Sequence, residues 1–401
     1  MVSRIATFTA SADAARRADP AAQPARGSLR PLPASSLIAV ATLAAIGAAT
    51  QIAAAGEHGR MIEFDAPGAT TSVSAACGST CGTQALANND AGAVTGAYTD
   101  ANVVSHGFLR APDGRLESFD APGAGTMKGA DQGTFPYSIN YAGDIAGAVQ
   151  NAANVFHGFI RHPDRSYEIF AAPHAGTGAF GGTLVFNLNS EGDAAGVYLN
   201  ASGEHGFIRW HSGDFSEFDA PGAVYTMVCE ETCLNADGSL SGFYGDASGN
   251  VHGFLRARDG TLTSIDFPGA LGTVAASIND AGEIGGYILV ANGVTYGFVR
   301  HADGSFGASF DVPGAYNGAN GGTAAFSINA FGATTGAYSD ANLTNHGFAR
   351  SADGGYALFD APGGGTGAFQ GTRPSTNNVQ GEVAGWNVDA AGLNHAFVWI
   401  P

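Results

Sequence analysis

Lysine is almost absent from this chain of 401 residues, because Lys128 is the only one. Acidic residues outnumber Lys and Arg by 35 to 17, and the formal net charge is −18. Phosphate binding needs clustered Lys and Arg, so the composition excludes a nucleic-acid-binding surface. An acidic surface fits an extracellular protein, a bound cation, or a neutral or basic ligand, and it also serves solubility alone.

Charged residues of both signs are scarce, at 13%, whereas hydrophobic residues make up 45% of the chain. This balance excludes a disordered polar tract. The 60 glycines follow no three-residue period, which excludes a collagen-like chain. No convincing helical period appears after residue 60, so the pattern favours an all-β protein.

Standard enzyme motifs are also missing. The chain contains no G-x-S-x-G elbow, no H-E-x-x-H pair and no Walker loop. The Gly-rich stretch at 176–182 does not open a helix, so a phosphate cradle is not predicted. We predict no metal and no cofactor. Calcium stays an alternative because several loops are rich in Asp and Asn, although no D-x-D-x-D-G run appears.

Only four cysteines are present, in two C-x3-C pairs: Cys77 with Cys81, and Cys229 with Cys233. In an exported chain such pairs predict small local disulfides that fix loop shape. A zinc site built from all four is the alternative, but zinc ribbons prefer C-x2-C spacing.

The N-terminal segment, residues 1–56, has the character of a leader. Five arginines precede an uncharged, Ala-rich stretch at 37–55, and Ala53-Ala54-Ala55 has the small-x-small form of a signal peptidase site. We predict cleavage near Ala55 and a secreted, periplasmic or cell-surface protein. An uncleaved membrane anchor is the alternative, since 19 residues is about the spanning minimum.

Three short phrases each recur seven times over residues 61–401. The first is the FDAPG phrase, at Phe64, Phe119, Phe170, Phe218, Ile265, Phe310 and Phe359. The second is HGF, at His106, His157, His205, His252, Tyr296, His346 and His395. The third is N-x-x-G-x-x-x-G, at Asn89, Asn140, Asn189, Asn235, Asn279, Asn329 and Asn378.

The phrases predict about four short antiparallel strands per repeat. N-x-x-G between apolar stretches is typical of a hairpin turn, HGF-x-R alternates along a strand, and the proline of FDAPG ends one. Repeats of 44–55 residues with four strands predict a seven-bladed β-propeller of four-stranded antiparallel blades, in a single domain over 61–401. An open stacked solenoid is the alternative.

The order of the phrases predicts how such a ring closes. Residues 61–68 read as the last strand of a blade, and residues 377–401 read as the first three strands of one. Pairing the two ends would complete a composite blade and remove the open edges.

The HAF at 395–397, the recurring INxxGxIxG and the DG turns resemble the HAF-family extracellular repeat proteins of bacteria. The resemblance covers 61–401, with HGF replacing HAF in most repeats. It implies a secreted, propeller-like protein and supplies no catalytic residues, since the family is largely of unknown function.

Residues that recur in every repeat are expected to build the fold. We therefore assign the HGF histidines to structural bonds with backbone or a neighbouring Asp, and the FDAPG aspartates to turn caps. Function should lie where the repeats differ, in the connections between blades, which share one face with the loops between second and third strands. The candidate rim residues are Lys128, Asp131, His174, Tyr225, Glu230, Glu231, Tyr316 and Arg373.

The leading hypothesis is an extracellular binding module for carbohydrate or a cell-surface component, acting as a monomer. The alternative is a polysaccharide-degrading enzyme. As a lyase it would use Lys128 or Arg373 to neutralise a uronate and His174 or Tyr225 to move the proton. As a hydrolase it would use two carboxyls among Asp131, Glu230 and Glu231. A purely structural envelope component is the third hypothesis.

Overall fold

The computed structural model describes residues 59–130 and 132–401, so the predicted leader, 1–56, and Asp131 lie outside the described residues. Its regular secondary structure consists of β-strands and of two short 3-10 turns, at Gly78–Thr80 and Ala291–Gly293. The strands are β1 (Arg60–Phe64), β2 (Thr83–Asn88), β3 (Val94–Thr99), β4 (Val104–Arg110), β5 (Leu116–Phe119), β6 (Gln132–Ile139), β7 (Ile145–Gln150), β8 (Phe156–Arg161), β9 (Tyr167–Phe170), β10 (Gly182–Leu188), β11 (Ala194–Asn200), β12 (Gly203–Arg209), β13 (Phe215–Phe218), β14 (Ala223–Val228), β15 (Leu240–Asp246), β16 (Val251–Arg256), β17 (Leu262–Ile265), β18 (Gly272–Ile278), β19 (Ile284–Leu289), β20 (Thr295–Arg300), β21 (Gly322–Ile328), β22 (Thr334–Ser339), β23 (Asn345–Arg350), β24 (Tyr356–Phe359), β25 (Gly371–Asn377), β26 (Val383–Val388) and β27 (Asn394–Ile400).

Consecutive strands pair antiparallel within repeat units. Unit 1 is β2–β5, unit 2 is β6–β9, unit 3 is β10–β13, unit 4 is β14–β17, unit 5 is β18–β20, unit 6 is β21–β24, and unit 7 is β25–β27 completed by β1. In unit 5 the fourth strand is reduced to single bridges at Phe306 and Phe310. The fold is therefore all-β, as the repeated phrases predict.

The two ends of the described chain meet in unit 7. Strand β1 pairs antiparallel with β27, with Arg60 opposite Ile400 and Phe64 opposite Ala396. The pairing of the termini is thus observed. The first strand of this unit, however, begins at Gly371 and ends at Asn377, so the stretch assigned from the sequence, 377–401, omits most of it. The predicted start was too late because β25 begins with the pair Gly371-Thr372, and a Gly-Thr pair resembles loop residues.

Parallel contacts of one residue pair, or of two pairs between β4 and β6, join neighbouring units into a 15-stranded and a 12-stranded sheet. The third strand of one unit contacts the first residue of the next, as Phe156 pairs with Gly182 and Thr295 with Gly322. Both glycines have positive φ, +121° and +107°, and a Cβ would lie 2.0 Å from the Phe156 carbonyl oxygen and 2.1 Å from that of Thr295. Only glycine permits this approach.

The asparagines of the N-x-x-G phrase form a closed hydrogen-bonded cycle. Each side-chain amide donates to the backbone carbonyl oxygen of the next asparagine, 2.8–3.3 Å away, and Asn378 returns the bond to Asn89. All seven are buried. In all seven units the Oδ1 atom also accepts at least one backbone N–H group of its own turn, as Asn279 does from Glu283. One residue type therefore shapes the turn and links consecutive units.

A threonine at the start of each unit makes a second set of links. Its hydroxyl accepts the backbone N–H that follows the second residue of the preceding FDAPG phrase, which is an aspartate except at Ala171. These threonines are Thr83, Thr134, Thr183, Thr226, Thr273, Thr323 and Thr372, and all are buried. The N–H of a strand end is thereby satisfied inside the protein, where an unpaired donor would cost about 1–3 kcal/mol.

Aromatic rings fill the space between units. The HGF phenylalanines are almost fully buried: Phe108, Phe159, Phe207, Phe254, Phe298, Phe348 and Phe397. The arginine that follows HGF lies over the FDAPG phenylalanine of the preceding unit, as Arg350 lies 4.5 Å from the Phe310 ring centroid and Arg161 4.7 Å from that of Phe119. Burial of these rings gives the interfaces between units their own apolar clusters, beside a larger cluster that includes Phe135, Leu184 and Val274.

Both predicted disulfides, Cys77–Cys81 and Cys229–Cys233, are formed. Within the described residues, no helix is long and apolar enough to cross a membrane.

Candidate functional site

Lys128, His174 and Tyr316 lie on the surface, in connections between units. Lys128 is exposed in a turn. His174 is 75% exposed at its side chain and pairs through Nδ1 with the Glu217 carboxylate. Tyr316 packs its ring over Gly318 and Gly321. No hydrogen bond or ring contact joins these three side chains, so each stands as a separate rim feature.

Tyr225 belongs to strand β14 rather than to a connection. Its ring covers Gly245, where a Cβ would come within 2.3 Å of it. Burial and, secondly, the charge of Glu204 raise the pKa of its hydroxyl. This placement gives Tyr225 a packing role, and it lines neither of the cavities described below.

Glu230 and Glu231 lie in an insertion that interrupts the first strand of unit 4. In the other six units the linking threonine precedes the cycle asparagine by six residues, as Thr273 precedes Asn279; in unit 4 Thr226 precedes Asn235 by nine. The three extra residues fall within the five-residue loop 229–233, which its disulfide closes. The other units have a β-bulge in this strand, as between Ala275 and Ser277.

Buried hydrogen bonds anchor this disulfide loop at both ends. The Asn187 amide donates to the Cys229 carbonyl (2.8 Å), and its Oδ1 accepts the N–H of Cys233 (2.7 Å). The Thr232 carbonyl accepts the N–H of Ile278 (2.9 Å), and its hydroxyl lies 3.2 Å from that of Ser327 in unit 6. Units 3, 5 and 6 thus hold the loop in one position.

The loop presents two carboxyl groups in a poorly hydrated environment. Burial raises the pKa of Glu231 to about 8. Burial and then the charge of Glu231 raise the pKa of Glu230 well above its ordinary value. The Glu230 Oε1 atom is buried without a hydrogen-bond partner among the described residues. Glu231 is therefore mainly a neutral acid at pH 7, and the pKa of Glu230 is shifted in the same direction.

Arg373 is the second departure from the repeat. It follows the linking threonine in unit 7, where the other units have Gln84, Phe135, Leu184, Met227, Val274 and Ala324. Across the pair of strands β25 and β26 it lies directly opposite Trp386. Its Nη2 atom donates to the carbonyl oxygen of Phe369, 3.1 Å away.

One open cavity brings the two departures together. It encloses about 790 Å³, including open solvent, and its walls combine Glu230 and Glu231 with Arg373 and Trp386. The remaining lining residues are Leu86, Tyr137, Thr295, Gly322, Ala324, Phe326, Ala337, Ser339, Asn345, Pro374 and Ser375. A second cavity of about 380 Å³ shares Glu230, Glu231 and Phe326 with it. We call the larger space the axial cavity, because strands β2, β6, β21 and β25, each the first of its unit, contribute to its walls.

Three of the eight predicted site residues therefore share one cavity: Glu230, Glu231 and Arg373. Sequence reasoning missed its aromatic members, Tyr137, Phe326 and Trp386. Two signals in the sequence point to this place, namely the longer threonine-to-asparagine spacing in unit 4 and the charged residue after the threonine of unit 7.

The described residues contain one group with metal-ligand geometry, in which ligand atoms of Cys229, Glu231 and Cys233 lie within 4.8 Å of one another. The two sulfurs form a disulfide, whereas metal binding by cysteine needs thiolates. The group thus offers a cation a single carboxylate.

The HGF histidines bond the FDAPG aspartates. His106, His205, His252, His346 and His395 place Nδ1 2.6–3.0 Å from a carboxylate oxygen of Asp120, Asp219, Asp266, Asp360 and Asp65, respectively. The structural role predicted for the histidines agrees with these bonds. The aspartates, assigned from the sequence to turn caps, instead accept from histidine side chains, because the two groups lie on adjacent antiparallel strands.

Comparisons with known proteins give structural likeness only. No protein-family model matches the chain, and no curated protein matches it. The lectin BP39L from Burkholderia pseudomallei aligns at 8% identity and TM-score 0.49, covering 77% of this chain and 94% of the lectin. A puromycin hydrolase mutant complexed with PGG aligns at 14% identity and TM-score 0.49, covering 81% of this chain and 53% of the hydrolase. An Aleuria aurantia lectin mutant in complex with Fucalpha1-6GlcNAc aligns at 11% identity and TM-score 0.40, covering 69% of this chain and 94% of that one.

Proposed function

We propose that this chain is an exported seven-bladed β-propeller that binds carbohydrate in its axial cavity. The cycle of seven asparagines and the pairing of β1 with β27 support a closed ring of seven units. Two disulfides fit an oxidising compartment. The proposal keeps the leader over 1–56, the likeness to HAF-family proteins and a monomeric state.

The observation that carries the proposal is the convergence of two separate departures from the repeat on one cavity. Seven similar units would place seven similar residues around the axis. Unit 4 instead contributes a disulfide-closed acidic loop and unit 7 an arginine beside a tryptophan, and both line the same space. Residues that only build a repeat have no need to differ in this way.

The chemistry of the walls suits a sugar. The rings of Tyr137, Phe326 and Trp386 offer flat apolar surface for the C–H face of a pyranose, and tryptophan and tyrosine also carry a polar group at the ring edge. Ser339 and Asn345 also line the cavity, where the Ser339 hydroxyl donates to Asn345 Oδ1 and the Asn345 amide donates to the Gln370 carbonyl. A mainly apolar pocket with a few convergent polar groups is the usual form of a small-ligand site.

Saccharide binding by the full chain tests the proposal. We expect a panel of neutral and acidic oligosaccharides to contain at least one ligand, measured by calorimetry. Trp386→Ala should weaken that ligand about tenfold or more, because a stacked ring contributes of the order of 1.5 kcal/mol. Trp210→Ala is the matched control, since Trp210 donates to Ser216 outside the cavity. Unchanged affinity in the Trp386 variant would exclude this site.

A glycoside hydrolase is the second candidate, favoured by two carboxyl groups of raised pKa in the same cavity. A hydrolase should release reducing ends from a bound polysaccharide, and the variant Glu231→Gln should lose this activity. Binding of the polysaccharide without release of product would exclude the hydrolase and support the binding module.

A further inference from the structure

The loop between the second and third strands of unit 3 is one residue shorter than its counterparts. Five positions separate Asn200 from His205, whereas six separate the equivalent positions of the other units, as with Asp246 and His252 in unit 4. In unit 4 the Nε2 atom of His252 faces a carboxylate oxygen of Asp246, 3.4 Å away. In unit 3 the shorter loop places the hydroxyl of Ser202 2.9 Å from the Nε2 atom of His205. The missing residue thus exchanges a carboxylate for a hydroxyl at this nitrogen.

Ser202, His205 and Asp219 form a continuous hydrogen-bonded chain. The Nδ1 atom of His205 lies 2.8 and 2.9 Å from the two carboxylate oxygens of Asp219. An ionised carboxylate only accepts hydrogen bonds, so the neutral imidazole carries its proton on Nδ1 and accepts at Nε2. The ring of Tyr198 stacks on the imidazole, with 4.8 Å between the centroids, and fixes its plane. A serine, a histidine base and a carboxylate that orients the base are the parts of a nucleophilic triad, which is recognised by geometry rather than by a sequence motif.

The turn that carries the serine is held by the connection between units 2 and 3. The Asn200 amide donates to the carbonyl oxygen of His174 (3.1 Å), and the N–H of His174 donates to Glu217 (3.1 Å). The Oδ1 atom of Asn200 accepts the N–H of Ser202 (2.8 Å) and lies 2.6 Å from its hydroxyl. The hydroxyl therefore has two acceptors within reach, Asn200 Oδ1 and His205 Nε2, and a rotation about its Cβ–Oγ bond turns the proton from one to the other.

The triad lies at the surface of unit 3. Ser202 is exposed, and the side chains of His205 and Asp219 are 16% and 51% exposed. None of the three lines either of the cavities described above, so a substrate reaches the serine from solvent and only a small acyl group has to fit beside it. Asp219, Glu204 and Glu217 make the surrounding strands acidic, which favours a neutral or cationic ester over an anionic one.

We propose that Ser202, His205 and Asp219 form an esterase site that hydrolyses short-chain acyl esters on neutral or cationic molecules. The Oγ atom of Ser202 bonds to the carbonyl carbon of the ester while the Nε2 atom of His205 takes its proton. The bond from that carbon to the alcohol oxygen then breaks, and the same proton passes to the departing alcohol. Water repeats both steps on the acyl-serine and releases the carboxylic acid. Asp219 is a positioning residue, because it acts through His205. The site goes beyond the proposed function, since it needs neither the axial cavity nor a bound sugar.

A covalent serine probe and a neutral ester test this site on the full chain. An alkyl fluorophosphonate, located by peptide mass spectrometry, should label Ser202 about 100-fold or more faster than Ser248, since a positioned base contributes about 10²–10⁴-fold. Ser248 is the matched control, because it occupies the same turn position in unit 4 and its N–H makes the same 2.8 Å bond to the turn residue. p-Nitrophenyl acetate should release nitrophenol and leave a transient acetyl group on Ser202, and Ser202→Ala should abolish both.

Variants of the histidine and the aspartate separate chemistry from structure. His205→Gln should slow the labelling of Ser202 about 100-fold. Asp219→Asn should slow it about tenfold or more, because the imidazole loses its orienting acceptor, and Asp219→Glu should restore part of the rate. Asp266→Asn breaks the equivalent 2.6 Å bond to the histidine of unit 4 and should leave the labelling of Ser202 unchanged.

The outcomes that overturn the proposal are specific. Equal labelling of Ser202 and Ser248 overturns it, and so does labelling of Ser202 that His205→Gln leaves unaffected. Release of nitrophenol that survives Ser202→Ala also overturns it, because the hydrolysis then belongs to other surface groups. If His205→Gln fails to fold, the position of the label on the unaltered chain and the exposed variant Ser202→Ala decide the question. Saccharide binding in the axial cavity is measured separately, so failure of one proposal is distinguishable from failure of the other.

Discussion

The side-chain amide of Asn378 donates to the backbone carbonyl of Asn89, 3.1 Å away, although the two residues are 289 positions apart. This bond closes the asparagine cycle, and it joins the last unit to the first on the face that carries the N-x-x-G turns. Thr376 reinforces the junction, because its hydroxyl accepts the N–H of Asn88 and donates to its side chain. The seam between units 7 and 1 is therefore bonded like the others.

Breaking the asparagine cycle should be costly at any point. Asn279→Ala removes the donor of a buried bond to the Asn329 carbonyl and the acceptor of a part-buried bond from the Glu283 N–H. We expect the free energy of unfolding to fall by about 2–3 kcal/mol, measured by denaturant titration. Asn102→Ala, on an exposed loop, is the control and should change it by less than about 0.5 kcal/mol. If both variants lowered the free energy of unfolding equally, the asparagine cycle would contribute no more to stability than an exposed side chain.

The arginine over the preceding phenylalanine offers a matched pair of variants. Arg350 lies over Phe310, whereas unit 5 has Ile265 at the position that would face Arg300. Arg350→Met should cost about 1 kcal/mol more than Arg300→Met, because only the first loses a cation–π contact. Thermal and denaturant unfolding of both variants checks this. If both variants lost the same stability, the contact of Arg350 with Phe310 would contribute only packing of the methylene groups of the arginine.

Several HGF histidines should stabilise the fold more strongly in acid than in base. The hydrogen bond to Asp360 raises the pKa of His346, and similar carboxylate bonds raise the pKa of His106 and His252. A raised folded pKa means that the added stability is complete below about pH 6.5 and is lost as pH rises through the folded value.

His346→Gln tests this directly. The groups that face His346 are Asp360, Asp340 and the stacked Tyr338 ring. The variant should lose about 0.5–1 kcal/mol more at pH 5.5 than at pH 9. His157→Gln is the control, because Ala171 stands where other units have the aspartate. A loss that does not vary with pH would show that protonation of His346 adds nothing.

Glu231 should act in the opposite sense. Its folded pKa of about 8 lies above the value near 4.3 in an unfolded chain, so its ionisation opposes folding increasingly between these pH values. Glu231→Gln should leave stability near that of the parent at pH 4 and raise it by about 1–3 kcal/mol at pH 8. Glu191→Gln, on an exposed turn, should leave stability unchanged at both pH values. A stabilisation already complete at pH 4 would point to packing instead of charge.

The sequence predicts the strands well because local chemistry repeats. Asn279 shapes its turn as N-x-x-G indicates, and β1 pairs with β27 as the order of the phrases requires. The bond from each asparagine to the next unit could not be predicted, since it joins residues about fifty apart through the geometry of the assembled units. The Gly-Thr strand starts were missed for the same reason, because the partner of each threonine lies in the preceding unit.

The site was predicted only in part. Choosing residues that differ between repeats selected Arg373, Glu230 and Glu231, which the fold brings to one cavity. The same rule also selected Lys128, His174 and Tyr316, which stay on the surface. Trp386 was overlooked because it sits inside a regular strand, and only the register of β25 against β26 shows that it faces Arg373.

The pairing of Arg60 with Ile400 has a consequence for synthesis. Strand β1 is synthesised before every other described strand, whereas its partner β27 is synthesised after all of them. Throughout translation unit 1 therefore has an uncovered side, and the growing chain exposes strand edges at both ends. The order of synthesis makes a prematurely terminated chain an aggregation hazard, because it lacks the strand that covers the edge of β1.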